Sequence, residues 1–217
     1  MALTRIEAKT ACPGVTLTKT PEGLGALYRP GCAAAVWERA PLQRFQNWID
    51  AIPASQLPKT RTILQPGAVR RAMHELCSAS GLSDCEERAM LVDDVAALAD
   101  IFADLMQAPY LRLRLDVVTT NACRKFHIDT VTARLVCTYR GTGTQYGIAT
   151  DGGAVDTIQT VGTGAPILLR GALWPVTPDF GLLHRSPPIE GTKETRLVLV
   201  LDPITELENS ASPYLVQ

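Results

Sequence analysis

The chain has 217 residues, 46% of them apolar and 20% charged, with a formal net charge of −1. That length suits one domain, residues 1–217, with a sizeable core, and the apolar content excludes a disordered chain. Balanced charge gives no global field for nucleic acid or an anionic membrane, and no apolar run reaches the roughly 18 residues of a transmembrane helix.

Residues 1–14 carry Lys and Glu early and no apolar run of signal-peptide length. The six cysteines (Cys12, Cys32, Cys77, Cys85, Cys123 and Cys137) are scattered, without a C-x-x-C pair. They are expected as reduced thiols in a cytoplasmic protein, several of them small core residues, and not as a disulfide framework.

Taken in chain order, residues 33–37 form a short apolar run behind the turn signal Arg29-Pro30-Gly31 and predict a strand. Pro41 opens a helix in which Leu42, Phe45, Ile49 and Ile52 recur at three and four spacing, and Pro53 ends it. A second helix is expected after Pro66, with Val69, Met73 and Leu76 on one side and Gly81 as its stop. Ser83 and Glu86 form a candidate capping box for a third and longer helix. Its apolar stripe is Leu91, Val95, Leu98, Phe102 and Leu105, and Gln107-Ala108-Pro109 closes it.

From Leu111 the period changes to two. Leu111, Leu113, Leu115 and Val117 alternate with Arg112, Arg114 and Asp116, so the arginines are expected on a solvated strand face. Val131, Ala133, Leu135, Cys137 and Tyr139 repeat the pattern up to Gly141-Thr142-Gly143, which reads as a turn, as does Gly162-Thr163-Gly164. Residues 165–169 and 197–201 suit buried strands. Mostly helix over 1–109 followed by mostly strand over 110–217 predicts an α+β fold: a jelly-roll-like barrel in the C-terminal half, backed by a helical support layer.

Two of the three histidines lie in the β-rich half. His127 and Asp129, two apart on an extended segment, project from one face and can reach one ion together. His184 follows one barrel circuit later, in Gly181-Leu182-Leu183-His184-Arg185-Ser186-Pro187-Pro188. Two imidazoles and one carboxylate on one side of a metal leave the opposite positions open, the facial triad of non-haem iron oxygenases. His74 reads as a helix-surface side chain. Cys123, four residues before His127, would favour zinc if it were a ligand and is expected instead as a buried thiol.

An Arg, Arg196, opens the last apolar run, Thr195-Arg196-Leu197-Val198-Leu199-Val200-Leu201-Asp202. The order His-x-Asp, His, Arg resembles the 2-oxoglutarate-dependent oxygenases and their cupin-like double-stranded β-helix. That resemblance implies Fe(II) on His127, Asp129 and His184, with 2-oxoglutarate as co-substrate and its far carboxylate on Arg196. Asn121 or Tyr139 would then add a hydrogen bond to the co-substrate, with Arg134 and Arg140 as rival anion binders. Segments such as Cys123-Arg124-Lys125-Phe126-His127-Ile128-Asp129, Cys137-Thr138-Tyr139-Arg140-Gly141-Thr142-Gly143 and His184-Arg185-Ser186-Pro187-Pro188 are also similar to a bacterial family known only as domain of unknown function 1826. The expected function is that of a metal-dependent oxidoreductase hydroxylating an unknown substrate, a small molecule or another, with no nucleic-acid or membrane partner. The same ligands also accept Zn(II), so a zinc-binding cupin-like protein with a metal-handling or sensing role and a zinc-dependent hydrolase stay open.

Overall fold

Alternation of apolar and polar residues builds the centre of the molecule. The computed structural model describes residues 9–149, 155, 157–176 and 181–205; residues 1–8, part of the stretch scanned for a leader, lie outside them. Strands β1 (Lys9–Cys12), β2 (Val15–Thr18), β3 (Ala34–Trp37), β4 (Thr60–Leu64), β5 (Tyr110–Val118) and β6 (Ala133–Arg140) are followed by β7 (Gln145–Ile148) and β8 (Gln159–Thr160). Then come β9 (Pro166–Arg170), β10 (Leu182–Arg185) and β11 (Arg196–Ile204). Eight of them form one sheet in the order β1-β2-β3-β9-β6-β11-β5-β4, and three form a smaller sheet, β10-β7-β8. Pairing is antiparallel except between β2 and β3.

One face of the large sheet carries Leu111, Leu113 and Leu115 of β5, Leu135 and Cys137 of β6, and Leu197, Leu199 and Leu201 of β11. These pack with the stripe Leu91, Val95, Leu98 and Phe102 of helix α3 (Glu86–Met106). Each such side chain, fully buried, contributes roughly 1.5–3 kcal/mol relative to exposure. Helices α1 (Gln43–Ala51) and α2 (Val69–Ala79) add Phe45, Ile49, Val69 and Met73 to the same core. The opposite face presents Val136, Val198, Val200, Ile167 and Leu169, which meet Tyr146, Val161 and Leu182 from the smaller sheet. The large sheet is therefore the middle layer, with helices on one side and the small sheet on the other. No described helix is long and apolar enough to cross a membrane.

Three expectations are corrected. The N-terminal half is not only a helical flank, because β1 to β4 supply both edges of the large sheet. Runs of four or five residues such as Val-Thr-Leu-Thr and Thr-Arg-Thr-Ile-Leu are too short to declare a period. The third helix does not start with a Ser83–Glu86 box. Cys85 is its cap, extended at φ −156° and ψ 166°, and its Sγ accepts a hydrogen bond from the Arg88 N–H at 3.4 Å. Glu86 and Glu87 occupy the first turn, where the helix dipole favours acids. Finally, the face carrying Arg114 is not solvated: it looks between the two sheets.

Ion pairs join the layers. Arg39, just after β3, donates both Nη atoms to Asp94 of α3 at 2.6 and 2.7 Å, and the buried Tyr139 hydroxyl donates to the same carboxylate at 2.7 Å. A bidentate guanidinium–carboxylate pair fixes direction as well as distance, so β3, α3 and β6 are held in one register.

Candidate metal centre

Two histidines far apart in sequence become neighbours through their backbones. The His127 N–H donates to the His184 carbonyl at 3.0 Å and the His184 N–H returns the bond at 3.0 Å. This bridge adds the His127 segment to the edge of the smaller sheet beside β10. His184, expected at a strand edge, lies on a strand, β10, whose four residues follow Gly181 at φ 58° and pair with β7. A run that short between a glycine and two prolines carries no periodicity.

The bridge sets the two imidazole rings 4.6 Å apart between centroids. Asp129 lies between them, with Oδ2 2.9 Å from His184 Nε2 and Oδ1 3.5 Å from His127 Nε2. One ligand atom from each of the three falls within 4.8 Å of the others. The Asp129 backbone is fixed by the Ala172 N–H, which donates to its carbonyl at 2.8 Å, and by the close pass of Gly171 over Val131.

Protons and lone pairs are arranged for a cation. His127 Nδ1 lies 2.8 Å from the Lys125 carbonyl, so Nδ1 carries the proton and Nε2 presents its lone pair. Arg134 closes on Asp129 Oδ1 and holds Asp202 through Nε and Nη2 at 2.6 and 2.9 Å. Asp129 Oδ2 is buried, and among the described residues only His184 Nε2 approaches it, as an ion-pair contact at 2.9 Å. A buried carboxylate oxygen without a hydrogen-bond partner, in a group whose two oxygens lie near two imidazole nitrogens, suits a metal ligand. Burial pushes the Asp129 carboxyl up, but His184, Arg134 and His127 outweigh it and hold the group down to about 2. It is ionised, as ligation requires.

The cluster opens on a cavity of about 330 Å³ between the sheets. Five arginines line it: Arg61, Arg114, Arg134, Arg185 and Arg196. Arg196 is 1% exposed. Its Nε donates to the Thr142 carbonyl at 2.6 Å, Nη1 to Ser186 Oγ at 3.2 Å and Nη2 to Thr138 Oγ1 at 3.4 Å. No described carboxylate forms an ion pair with it. Glu194, its neighbour in sequence, accepts instead from the Thr142 N–H at 2.5 Å. Burial pulls the Arg196 guanidinium down to about 10, partly offset by Glu194, which leaves it charged near neutrality.

Other expected site residues fall elsewhere. Tyr139 is turned to the helical face of the sheet, its hydroxyl on Asp94, so a co-substrate role for it is corrected. Asn121 clamps a loop: Oδ1 accepts from the N–H groups of Ile189 and Glu190 at 2.9 and 3.2 Å, and Nδ2 donates to Glu190 at 2.8 Å. That engagement leaves it outside the cavity lining. Arg140 donates to the Ile52 carbonyl at 2.6 Å beyond the end of α1, which removes it as an anion binder. Cys123, expected to be buried, is exposed at the cavity rim, outside the ligand cluster found among the described residues. Arg61 and Arg114 were missed as cavity residues. Alternation separates the two faces of a strand but does not say which one closes over a cavity.

Comparisons add the following. No curated protein sequence matches the chain. A rice dioxygenase for auxin oxidation is 12% identical and has a TM-score of 0.50, with coverage of 91% of this chain and 82% of that one. The Arabidopsis thaliana counterpart, in binary complex with 2-oxoglutarate, is 12% identical over 78% of this chain and 67% of that one, with a TM-score of 0.44. A 2OG-Fe(II) oxygenase family oxidoreductase from Burkholderia pseudomallei is 11% identical over 86% and 92%, also at 0.44. At such identity the likeness is one of fold, carried here by the rice enzyme: an α+β architecture with a large mixed sheet backed by helices. Residues 18–202 match the family described as "Protein of unknown function (DUF1826)", and with most of its length inside that match the chain belongs to this family.

Proposed function

We propose that the protein is an Fe(II)/2-oxoglutarate-dependent oxygenase on a double-stranded β-helix, acting on a small-molecule substrate. Arg196 is the observation that carries this reading. Its guanidinium is buried in the same cavity as His127, Asp129 and His184 and is bonded only to neutral oxygens. A buried cation without a counter-charge is costly, and its planar fork suits a carboxylate. The far carboxylate of 2-oxoglutarate would supply that charge. The rival arginines are engaged, Arg134 by Asp129 and Asp202 and Arg140 by the carbonyls of Ile49 and Ile52.

Chain path supports the fold assignment. From β5 onwards the chain alternates between sheets: β5, the His127 bridge, β6, then β7 and β8, then β9, β10 and β11. Such alternation is the winding of a jelly roll.

His127, Asp129 and His184 would hold the metal, with His127 oriented by the Lys125 carbonyl and Asp129 by Arg134. Arg134 occupies Oδ1 and so leaves Oδ2 as the ligating oxygen. Bound there, iron and 2-oxoglutarate would supply the oxidation: dioxygen and 2-oxoglutarate are consumed, succinate and carbon dioxide leave, and one oxygen atom enters a substrate C–H bond. Val136, Val198 and Val200 give the cavity an apolar wall that limits water.

Anaerobic titration of metal-free protein with Fe(II) and then 2-oxoglutarate tests the reading. A weak visible charge-transfer band is expected for wild type and is absent in His184→Ala. Arg196→Ala should keep metal affinity and need far more 2-oxoglutarate. Tight retention of zinc with no band would overturn the proposal in favour of a zinc site without redox chemistry.

A further inference from the structure

Arg114 stands out among the cavity arginines because folding leaves it almost unanswered. Its side chain is only 20% exposed, its Nε is buried without a hydrogen-bond partner, and its guanidinium donates no hydrogen bond to any described residue. The nearest acid, Asp202, is 3.7 Å away and already takes two hydrogen bonds from Arg134. Asp116, two residues along the same strand face, forms no ion pair with it.

Directly across the β4–β5 ladder from Arg114 lies Arg61, exposed and without an ion pair among the described residues. Residues opposite one another in an antiparallel pair have Cβ atoms about 5 Å apart, and like charges there cost stability. Two guanidinium groups are thus held side by side at the wall of the cavity, and the acids near them, Asp202 and Asp116, support Arg114 only at a distance, without a hydrogen bond. Arg185, by contrast, donates to Gln145 at 2.8 Å and stacks over Phe126.

The pair is also separate from Arg196. Arg114 faces Val200 across the β5–β11 ladder, four residues beyond Arg196 and so roughly 13 Å along the strand. Arg196 leans toward Thr138 and Thr142, Arg114 toward Asp202. One small diacid engaged by the first is not shared with the second.

We infer that Arg114 and Arg61 bind an anionic group of the substrate, a carboxylate or a phosphate. The assignment deepens the oxygenase reading and rests on it for the word substrate; the anion site itself rests on geometry alone. A guanidinium pair offers several N–H donors to one tetrahedral or planar anion, and the cavity volume suits a small molecule.

Inorganic phosphate is the probe. The full-length, metal-free, ¹⁵N-labelled protein is titrated with it while arginine Nε–H resonances are followed, that of Arg114 being identified by its loss in Arg114→Lys. Expected is a saturable shift of that resonance, with affinity reduced roughly tenfold in Arg114→Gln, about threefold in Arg61→Gln and unchanged in Arg196→Gln. Should Arg114→Gln fail to fold, Arg114→Lys serves: it keeps the charge, loses the fork and weakens binding by a smaller factor. Absence of any saturable shift overturns the inference, as does a phosphate site that moves to Arg196 or ignores Arg114. Carboxylate and phosphate sources are separated by repeating the titration with acetate. Phosphate binding on Arg114 without an Fe(II)/2-oxoglutarate band would retain the anion site and remove the oxygenase reading; a band with no phosphate site would do the reverse.

Discussion

The backbones of His127 and His184 exchange two hydrogen bonds of 3.0 Å each, so two residues 57 positions apart are one antiparallel β-bridge as well as two candidate ligands. A metal on their side chains would close a ring already closed through the backbone. Sheet pairing alone sets the two imidazoles side by side, so a metal bound as proposed would meet a preorganised pair. The Ser186 N–H, just after β10, donates to the Cys123 carbonyl at 2.9 Å and Arg185 stacks over Phe126, so the bridge is one of several ties that hold the 121–129 segment to the smaller sheet.

Metal should therefore protect the bridge. Adding a divalent ion at about 100 times its dissociation constant to metal-free protein should stabilise it by about 2.7 kcal/mol. The amides of His127 and His184 should exchange more slowly with solvent. In His184→Ala both effects should vanish, as measured by thermal unfolding and hydrogen exchange. An equal stabilisation in that variant would place the ion elsewhere.

Acid stability of the metal-free protein should report Asp129. Its carboxyl is held at about 2 in the folded chain against an ordinary value of 3.8. A depressed folded value contributes stability that is present above the unfolded value and is lost as pH falls through the folded one. The window is therefore from about pH 4 down to about pH 2, and the contribution at neutrality is on the order of 2 kcal/mol. Asp129→Asn should lack that part of the acid transition. Denaturant unfolding at a series of pH values measures the slope, and identical slopes in the two proteins would remove Asp129 from it.

Local rules reach the site only in part. His-x-Asp on an extended segment needs nothing beyond the two-residue strand period, and His127 and Asp129 do share a face. The stripe Leu91–Phe102 and the alternation from Leu111 are likewise local, and they correspond to α3 and β5. What sequence does not reveal is non-local. Tyr139 and Arg134 alternate correctly along β6, yet only the packing of α3 turns the Tyr139 face away from the His127–Asp129–His184 cluster and the Arg134 face toward it. Arg114 reads as a solvated side chain until a second sheet covers its face. β10, β7 and β4 owe their extension to partners, not to their own four or five residues, so their pattern was too brief to read.

Gly171 tests whether the wall behind Asp129 can give. A Cβ there would fall 1.9 Å from the Val131 carbonyl oxygen and 2.8 Å from that of Asp129, both backbone atoms with no freedom to swing aside. Gly171→Ala should cost at least the roughly 1–3 kcal/mol of an overpacked core and displace Asp129, lowering stability together with the metal affinity proposed for it. Gly162→Ala is the control, because nothing lies within 4 Å of its added carbon. Denaturant unfolding and zinc titration of both variants check this. Unchanged metal affinity in Gly171→Ala would show that the loop shifts without moving Asp129.

Tyr139 separates a structural residue from a ligand-binding one. Its hydroxyl donates to Asp94 at 2.7 Å, on the side of the large sheet that faces α3. Removing that hydroxyl in Tyr139→Phe deletes one buried hydrogen bond and leaves Asp94 with both bonds from Arg39. The expected cost is about 1 kcal/mol of stability, since the acceptor stays partly satisfied. Because the ring edge and its packing against Phe45 persist, the sheet should keep its register and the metal cavity its shape. Fe(II) and 2-oxoglutarate affinities, read from the charge-transfer titration, should match wild type. A Tyr139→Phe protein that folds normally but binds 2-oxoglutarate tenfold more weakly would mean that β6 transmits strain from the helical face to the cavity. The two faces of the sheet would then have to be treated as one coupled unit.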